Sequence, residues 1–483
     1  MVTPIDSEIK YVELPVEDIN WYAVPLSDVI NAGKRLEATV FASEHRHALD
    51  TIKRSIYPVK TLVGNKNSFA TAYRPGICKR IFVDDKIGGI PMLTPSQITE
   101  IKPQAEKFLS CKMKSSIADW FVKKGEILLT CSGTVGKVTL VTRTLEGTCV
   151  SQNLIRITAH GHDIGFLYAF LRTQTGQALL TGNNYGAVIQ HIDPGHLTGI
   201  PIPNPPDVLK KKINGLVMRS FDLRDESNEL LEKATSLLVN ELKLPPIEQF
   251  DSNANLKSYD VKLSNLAGRF DGSYHLPAAN AIVEHLKKHS GEVTTIGDSR
   301  VSECIILPGR FKRVYVTEGR GRVFFGGKQI HELDPFNKKY LSLVHHGHRI
   351  RSQLELSENM TLITSSGTIG KVTLVPRHWE RWTANQHIIR IIPANEEIAG
   401  YLSVFLATDY GRALITRFTY GSVVDEIDDN HVSQIAFPLL NDPQIQSEIN
   451  SFAIEANKLR HQAYLCEQEA TKVLNEEVLF HDK

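Results

Sequence analysis

The segment Ser132-Gly133-Thr134-Val135-Gly136-Lys137-Val138-Thr139-Leu140-Val141 combines hydroxyls, glycines and a lysine, a set that can hold a phosphate. A nucleotide-hydrolysing loop of that kind needs GxxxxGK followed by Ser or Thr, so that the lysine meets phosphate and the hydroxyl meets magnesium. Here Cys131 stands at the first glycine position and Val138 follows the lysine. In a second occurrence, Ser366 to Val375, Ser365 and Val372 stand there, so nucleotide hydrolysis is rejected. Two readings remain. The glycines mark a tight hairpin or bulge between two strands. Alternatively, Ser132, Thr134 and Lys137, with their copies Ser366, Thr368 and Lys371, contact phosphate from a loop tip.

Basic residues also cluster beside aromatics. One stretch reads Arg74-Pro-Gly-Ile-Cys-Lys79-Arg80-Ile-Phe82; the other reads Gly309-Arg310-Phe311-Lys312-Arg313-Val-Tyr315, followed by Arg320 and Arg322. Side chains of this type contact phosphates and read guanine edges, though a solvated strand face carries the same residues. Other motifs fail. Asn204-Pro205-Pro206-Asp207 lacks the aromatic that ends the Asn-Pro-Pro motif of amino-methyltransferases, and reads as a helix start. Gly319-Arg-Gly321 lacks the third glycine of a dinucleotide loop. His345, His346 and His348 have no acid or thiol at ligand spacing, and read as solvated or nucleic-acid-facing. With no nucleophile elbow, zinc-protease or kinase set either, no catalytic residue and no metal site is expected.

What positions these residues is an internal duplication. The segment from Ser132 recurs from Ser366 at an offset of 234, and only Val135 and Ile369 differ. Arg35-Leu-Glu pairs with Arg269-Phe-Asp, Pro75-Gly-Ile-Cys-Lys-Arg with Pro308-Gly-Arg-Phe-Lys-Arg, Gln152-Asn-Leu-Ile-Arg-Ile with Gln386-His-Ile-Ile-Arg-Ile, and Tyr185-Gly186 with Tyr420-Gly421. Whole domains were duplicated, and the long period excludes a solenoid. Each copy is rich in β-branched runs bounded by turns: Glu126 to Thr130, Lys137 to Val141 and Leu154 to Ile157 in the first. A helix is expected from Phe166 to about Thr181 and from Tyr401 to about Thr416, then a final strand at 201–203 and at 437–438. The fold class is α+β, each domain built on a curved sheet.

A heptad tail follows each domain. Leu209, Leu216, Leu223, Leu230, Leu237 and Leu244 lie seven apart, as do Ile445, Phe452, Leu459, Cys466, Val473 and Phe480. Four residues after them come Ile213, Ser220, Ser227 and Ala234, and Ile449, Ala456, Ala463 and Ala470. One heptad position is large and apolar, the other mostly small, which predicts two long helices paired as an antiparallel coiled coil with close backbones. From 209 to 244 the pair is roughly 50 Å long and would act as a spacer.

Composition bounds the rest. The chain has 483 residues, and 55 Lys+Arg against 54 Asp+Glu give a net charge of +1, which excludes a globally basic nucleic-acid coat. Hydrophobic content of 42% with little net charge excludes disorder. Cys78, Cys111, Cys131, Cys149, Cys304 and Cys466 form no CxxC pair and no disulfide framework. No signal pattern and no apolar run of membrane-spanning length is present, so a cytoplasmic protein with no membrane association is expected.

In this order the motifs resemble the specificity (S) subunit of type I restriction–modification systems. The resemblance covers nearly the whole chain. It rests on Arg35-Leu-Glu-Ala and Arg269-Phe-Asp-Gly, on Gly89-Ile-Pro-Met-Leu-Thr, on the paired Ser-Gly-Thr-x-Gly-Lys-Val turns, and on Gln152 and Gln386. It also rests on Tyr-Gly followed by Ile-Pro-Ile-Pro and Pro-Pro running into a helix. The second copy departs at Arg322-Val-Phe-Phe-Gly and at Ile-Ala-Phe-Pro. The resemblance implies two target-recognition domains, 1–206 and 245–440, with spacer helices at 207–244 and 441–483. It implies a non-catalytic reader of a bipartite site in double-stranded DNA. Two methyltransferase (M) subunits would bind along the spacers, and motor–endonuclease (R) subunits would join them. This chain would hold no cofactor; S-adenosylmethionine, ATP and Mg would belong to the partners. DNA contact is expected from Arg74, Lys79, Arg80, Ser132, Thr134, Lys137, Gln152 and Tyr185, and from Arg310, Lys312, Arg313, Ser366, Thr368, Lys371, Gln386 and Tyr420.

Two other classes stay open: an enzyme acting alone as methyltransferase or nuclease, and a scaffold of a related phage-defence complex that reads no sequence. Shortening the first spacer helix by one heptad is expected to change the gap between half-sites and leave both half-sites intact. Methylome sequencing of a host carrying the shortened gene checks this.

Overall fold

In the computed structural model the described residues are 24, 26, 30, 43–64, 67–84, 88–159, 161–182, 191–250, 260–266, 268–336, 338–421 and 423–480. The chain is a mixed α+β protein in which one strand programme runs twice. The first half contains β1 (Val59–Thr61), β2 (Ala70–Tyr73), β3 (Phe82–Val83), β4 (Gly89–Leu93), β5 (Lys107–Ser110), β6 (Glu126–Thr130), β7 (Val138–Leu140), β8 (Cys149–Val150), β9 (Leu154–Ala159) and β10 (Pro201–Pro203). The second half contains β11 (Glu292–Thr295), β12 (Ser302–Ile306), β13 (Tyr315–Val316), β14 (Gly321–Phe325), β15 (Lys339–Ser342), β16 (Thr361–Thr364), β17 (Val372–Leu374), β18 (Thr383–Ala384), β19 (Ile388–Pro393) and β20 (Ala436–Leu439).

Pairing is identical in the two halves. The first forms sheets β2-β9-β6-β7, β3-β5-β4-β8 and β1-β10; the second forms β12-β19-β16-β17, β13-β15-β14-β18 and β11-β20. Among the strands of the described residues, β4/β8 and β14/β18 pair in parallel and the others antiparallel. The single curved sheet expected for each copy is therefore corrected to two four-stranded sheets and a two-stranded ribbon. The cause is the short step from β8 to β9, and from β18 to β19. Within three or so residues the chain leaves one sheet and enters the other, and Gln152 and Gln386 sit in that step.

The helices are α1 (Ser43–Lys53), α2 (Asp163–Arg172), α3 (Gln174–Thr181), α4 (Asp207–Glu241), α5 (Pro277–His289), α6 (Glu396–Ala407), α7 (Asp409–Thr416) and α8 (Pro443–Leu474), beside shorter turns. The single helices expected after β9 and β19 are each broken in two. Thr173 and Thr408 adopt extended backbone, and their hydroxyls accept from Gly176 N and Gly411 N. The break folds the chain so tightly that a Cβ on Gly176 would lie 2.1 Å from Phe170 O, and one on Gly411 2.3 Å from Phe405 O. Only glycine fits there.

The long helices α4 and α8 lie against each other in opposite directions. Lys212 meets Glu477 at 2.8 Å, Arg224 meets Glu467 at 2.6 Å, and Ser220 Oγ donates to Ala463 O at 2.8 Å. The small heptad series is the buried one: Ile213, Ser220, Ser227 and Ala234 face inward, as do Ile449, Ala456, Ala463 and Ala470. Of the large series, Leu209, Leu223 and Val473 are buried, whereas Leu216, Leu230, Leu237, Ile445, Phe452, Leu459 and Cys466 are half-buried flanks. Small side chains let the backbones close in, which is how a serine hydroxyl reaches the partner helix's carbonyl.

Each helix also crosses between halves. Leu209, Ile213, Val217 and Phe221 of α4 pack in the first core together with Ala470, Val473 and Leu474 of α8. Ala234 and Leu238 of α4 pack in the second core with Ile449 and Ala453 of α8. Both helix starts are pinned alike: Asn214 Oδ1 accepts from Gly165 N at 3.0 Å, and Asn450 Oδ1 from Gly400 N at 2.7 Å.

Ala463→Leu is expected to lower stability by about 1–3 kcal/mol by wedging the seam open. Leu465→Ala, on the exposed face of the same helix, is expected to change it by no more than about 0.5 kcal/mol. Urea unfolding of the two variants checks the contrast.

Candidate nucleic-acid interface

At one end of the first half, four loops converge. Arg74 Nε donates to Gln152 O at 3.1 Å, its NH2 to Asn153 Oδ1 at 3.2 Å, and its NH1 to Asp193 Oδ1 at 3.1 Å. Gln152 is buried, and its Oε1 accepts from Cys78 N at 3.1 Å. Ser132 pairs through its backbone with His191. The basic stretch after Arg74 is thus tied at its root, and Lys79 and Arg80 are exposed beside Ile77, Ile81 and Phe82, with the Arg80 guanidinium 5.7 Å from the Phe82 ring centre.

The second half assembles the equivalent loops with other bonds. Arg313 NH2 donates to Gln386 Oε1 at 2.8 Å, and Arg310 NH2 meets Glu426 Oε1 at 3.2 Å. Ser366 and Tyr420 both pair through their backbones with Glu426, and Lys312 is exposed. His387 sits below its usual pKa, first through burial and then through the charge of Arg313; it is neutral at pH 7. Arg74, Lys79, Arg80, Ser132, Thr134 and Gln152 therefore share one loop cluster, and Arg310, Lys312, Arg313, Ser366, Thr368, Gln386 and Tyr420 share its counterpart. Tyr185 and the Arg35-Leu-Glu segment lie outside the described residues.

The Ser-Gly-Thr segments are the β6–β7 and β16–β17 hairpin turns. Gly133, Gly136, Gly367 and Gly370 all have positive φ, from 75° to 97°. Thr130 Oγ1 donates to Thr134 O and accepts from Lys137 N; Thr364 does the same with Thr368 O and Lys371 N. Ser132, Thr134, Ser366 and Thr368 stay accessible at the tips.

The two lysines do not, which corrects the phosphate reading for both. Lys137 Nζ reaches across to Glu332 Oε1 of the second half at 2.5 Å, and Lys371 Nζ reaches back to Glu100 Oε1 of the first at 3.1 Å. Glu100 and Glu332 pair through their backbones, and Ile101 N donates to His331 O at 2.9 Å. Glu332 also accepts from Thr99 Oγ1 and Phe336 N. Both carboxylates are buried, at 7% and 1% exposure. Burial alone would raise the Glu100 carboxyl, but the His331 hydrogen bond and the Lys371 charge outweigh it and hold the group below its usual value. Sequence reasoning missed this pair. The signal was Gln97-Ile-Thr-Glu100 recurring as Gln329-Ile-His-Glu332.

A second repeated feature was also missed. Lys107 on β5 lies over the Phe82 ring of β3 at 5.6 Å, and Lys339 on β15 lies over Tyr315 of β13 at 5.1 Å. Both lysines and both rings are exposed. The sequence trace is Lys107-Phe-Leu-Ser recurring as Lys339-Tyr-Leu-Ser. Each half therefore presents a cation–aromatic pair on its second sheet, a surface suited to phosphate and to base or sugar faces.

Burial pushes the Cys131 thiol up to about 11, so it is not a thiolate at neutral pH. His346 accepts from Val314 N at 3.1 Å and is held in the fold. Among the described residues no group of three His, Cys, Asp or Glu could hold a metal ion, and no helix is long and apolar enough to cross a membrane.

No protein-family model and no curated protein matches the chain. Among solved structures it is similar to the type I restriction–modification system S subunit from M. genitalium, at 14% identity and a TM-score of 0.28, over 87% of this chain and 93% of that one. It is also similar to the HsdS subunit from Thermoanaerobacter tengcongensis, at 13% identity and a TM-score of 0.28, over 84% and 96%. A chain from a study of complex assembly and conformational transition of the type I R-M system aligns at 14% identity and a TM-score of 0.27, over 84% and 97%.

Lys371→Met leaves Glu100 buried without its lysine partner, and is expected to cost about 3 kcal/mol at pH 7. Because the folded-state pKa of Glu100 lies below its unfolded value, its contribution is complete above the unfolded value of roughly 4.5 and is lost as pH falls through the folded one. Urea unfolding from pH 7 down to pH 3 is expected to show that loss in the wild type and a flatter profile in the variant.

Proposed function

We propose that this chain is the sequence-specific DNA-recognition subunit of a type I restriction–modification complex. It reads a bipartite target and positions methyltransferase and endonuclease subunits, with no catalysis of its own. The observation that carries the reading is the doubled architecture: one strand programme used twice, each copy presenting an equivalent loop cluster of different side chains, with two long antiparallel helices running between them. Residues 1–206 and 245–440 are the two reading domains, and 207–244 and 441–483 the helices that set their spacing.

The division of chemistry supports this. The turn residues, basic loops and cation–aromatic pairs repeat in place, Lys79 and Arg80 recurring as Lys312 and Arg313, while the side chains just before them differ: Ile77 and Cys78 in one cluster, Arg310 and Phe311 in the other. A shared frame with unlike contacts suits two unlike half-sites. Each half reads only a few base pairs, and linkage multiplies their discrimination. A net charge of +1 suits a subunit whose partners supply much of the phosphate contact. Double-stranded DNA is the ligand, two M subunits dock along the half-buried leucine flanks of the helix pair, and R subunits complete the complex. S-adenosylmethionine, ATP and Mg belong to those partners. The setting is cytoplasmic.

Deleting the gene from its host is expected to abolish methylation at one two-part motif, read by single-molecule sequencing. No lost motif points to a scaffold that reads no sequence, and methyl transfer by the purified chain alone points to an enzyme. In the reconstituted complex, Arg80→Ala and Lys312→Ala are each expected to weaken DNA binding and lower the salt-dependence slope by about one. Unchanged slopes would remove these residues from the interface.

A further inference from the structure

The helix pair forms two clefts at equivalent places, one against each half. Their equivalence is fixed by shared anchors. Asn214 and Asn450 cap Gly165 and Gly400, and Thr173 and Thr408 break the helices that follow. In the first cleft the charges are balanced within the protein. Glu467 of α8 accepts from Tyr168 Oη at 2.5 Å and pairs with Arg224 at 2.6 Å. Asp334 meets Lys338 at 2.5 Å and Arg172 at 3.7 Å. Burial raises the Glu467 carboxyl, but the charges of Arg224 and Arg172 outweigh it and keep the group ionised.

The second cleft, a cavity of about 410 Å³, keeps the cation and lacks the acids. Arg460 stands at the position of Arg224. Leu231 replaces Glu467, Ser403 replaces Tyr168, Ala407 replaces Arg172, and Lys102 replaces Asp334. Arg460 lines the cavity, and its Nε is shielded from solvent without a hydrogen-bond partner. Among the described residues no carboxylate lies within ion-pairing distance of its guanidinium; Asp409, on the same wall, makes no ion pair with it, and Lys102 is engaged with the exposed Glu232 at 3.3 Å. Burial pushes the Arg460 guanidinium down to about 10. Arg224 Nε is likewise shielded and unpartnered, so what separates the two clefts is the counter-ion: Glu467 neutralises Arg224 in the first, and Arg460 has no equivalent in the second. The cavity size falls within the range of small-molecule sites, about 300–1,000 Å³. Leu231, Val239, Val404 and Ala453 give it an apolar wall, beside polar side chains that include Thr235, His331, Ser403 and Asn457, and that wall suits a ligand with an apolar body.

We infer that the second cleft binds a small carboxylate with an apolar body, whose carboxylate pairs with Arg460 in the place that Glu467 fills in the first cleft. The fork of the guanidinium suits two parallel hydrogen bonds to one carboxylate. The inference does not depend on DNA recognition: none of the residues named above in the two loop clusters lines the cavity.

Titration calorimetry of the full chain with benzoate, and with inorganic phosphate as a comparator, tests it. The expected result is saturable binding of one benzoate per chain, weakened at least about tenfold in Arg460→Met and in Leu231→Glu, which installs the missing acid. If Leu231→Glu does not fold, Arg460→Lys decides, since it keeps the charge and loses the fork; about tenfold weaker binding is expected. No benzoate binding up to about 10 mM, equal binding in the variants, or binding of phosphate alone would each overturn the inference.

Discussion

The two halves trade a charge. Each hairpin turn ends in a lysine, and the carboxylate that neutralises it belongs to the other half: Lys137 with Glu332, Lys371 with Glu100. Both acids are buried, so a half standing alone would carry an uncompensated carboxylate at its edge. The backbones of the same two glutamates pair directly. This contact fixes the halves against each other beside the long helices. The separation of the two loop clusters is therefore set by a joint at the pseudo-symmetry axis as well as by helix length, a constraint that a rod-like spacer alone would not impose.

The long helices hold the same joint from the other side, with different chemistry in each half. Asp225 of α4 accepts from Thr142 Oγ1, Arg143 N and Thr144 Oγ1, and Asn228 donates to Ile101 O at 2.8 Å. On α8 the corresponding surface is aromatic. His378 stacks on Tyr464 at 4.3 Å, and burial drives its pKa down to about 3, so the ring stays neutral. Asn457 donates to Val375 O at 2.8 Å. Buried polar groups with fixed partners specify register where an apolar seam of small residues would tolerate a slip. The duplication preserved where the helices dock and let the means of docking diverge.

Much of this was legible in the sequence, and the misses share a cause. The offset of 234 located equivalent positions, the turn glycines marked the hairpins, and the heptads placed small residues at the seam. Local signals of this kind depend only on neighbours a few residues away. The helix breaks at Thr173 and Thr408 escaped because the apolar pattern continues through them, and only the close approach at Gly176 and Gly411 reveals the fold-back. The split of each copy into two sheets escaped because Gln152 and Gln386 look like strand ends until the partner strands are known. The lysines were misread for the same reason. Their position at a glycine turn suggested phosphate, while their partners lie 195 residues further on for Lys137 and 271 back for Lys371. The repeated Gln-Ile-x-Glu motif carried the answer without naming its partner.

The crossing of α8 into the first core has a consequence during synthesis. Ala470, Val473, Leu474, Val478 and Leu479 complete the packing around Leu209, Ile213 and Val217, and Ser55 Oγ donates to Val478 O. On the ribosome, the first half emerges long before these residues exist. It must wait with an open apolar flank until nearly the whole of residues 43–480 has been made, a situation in which nascent chains depend on chaperones. A stop codon before Ala470 would thus strip the earlier-made half of the residues that close its core, so a lesion in one half is felt in the other.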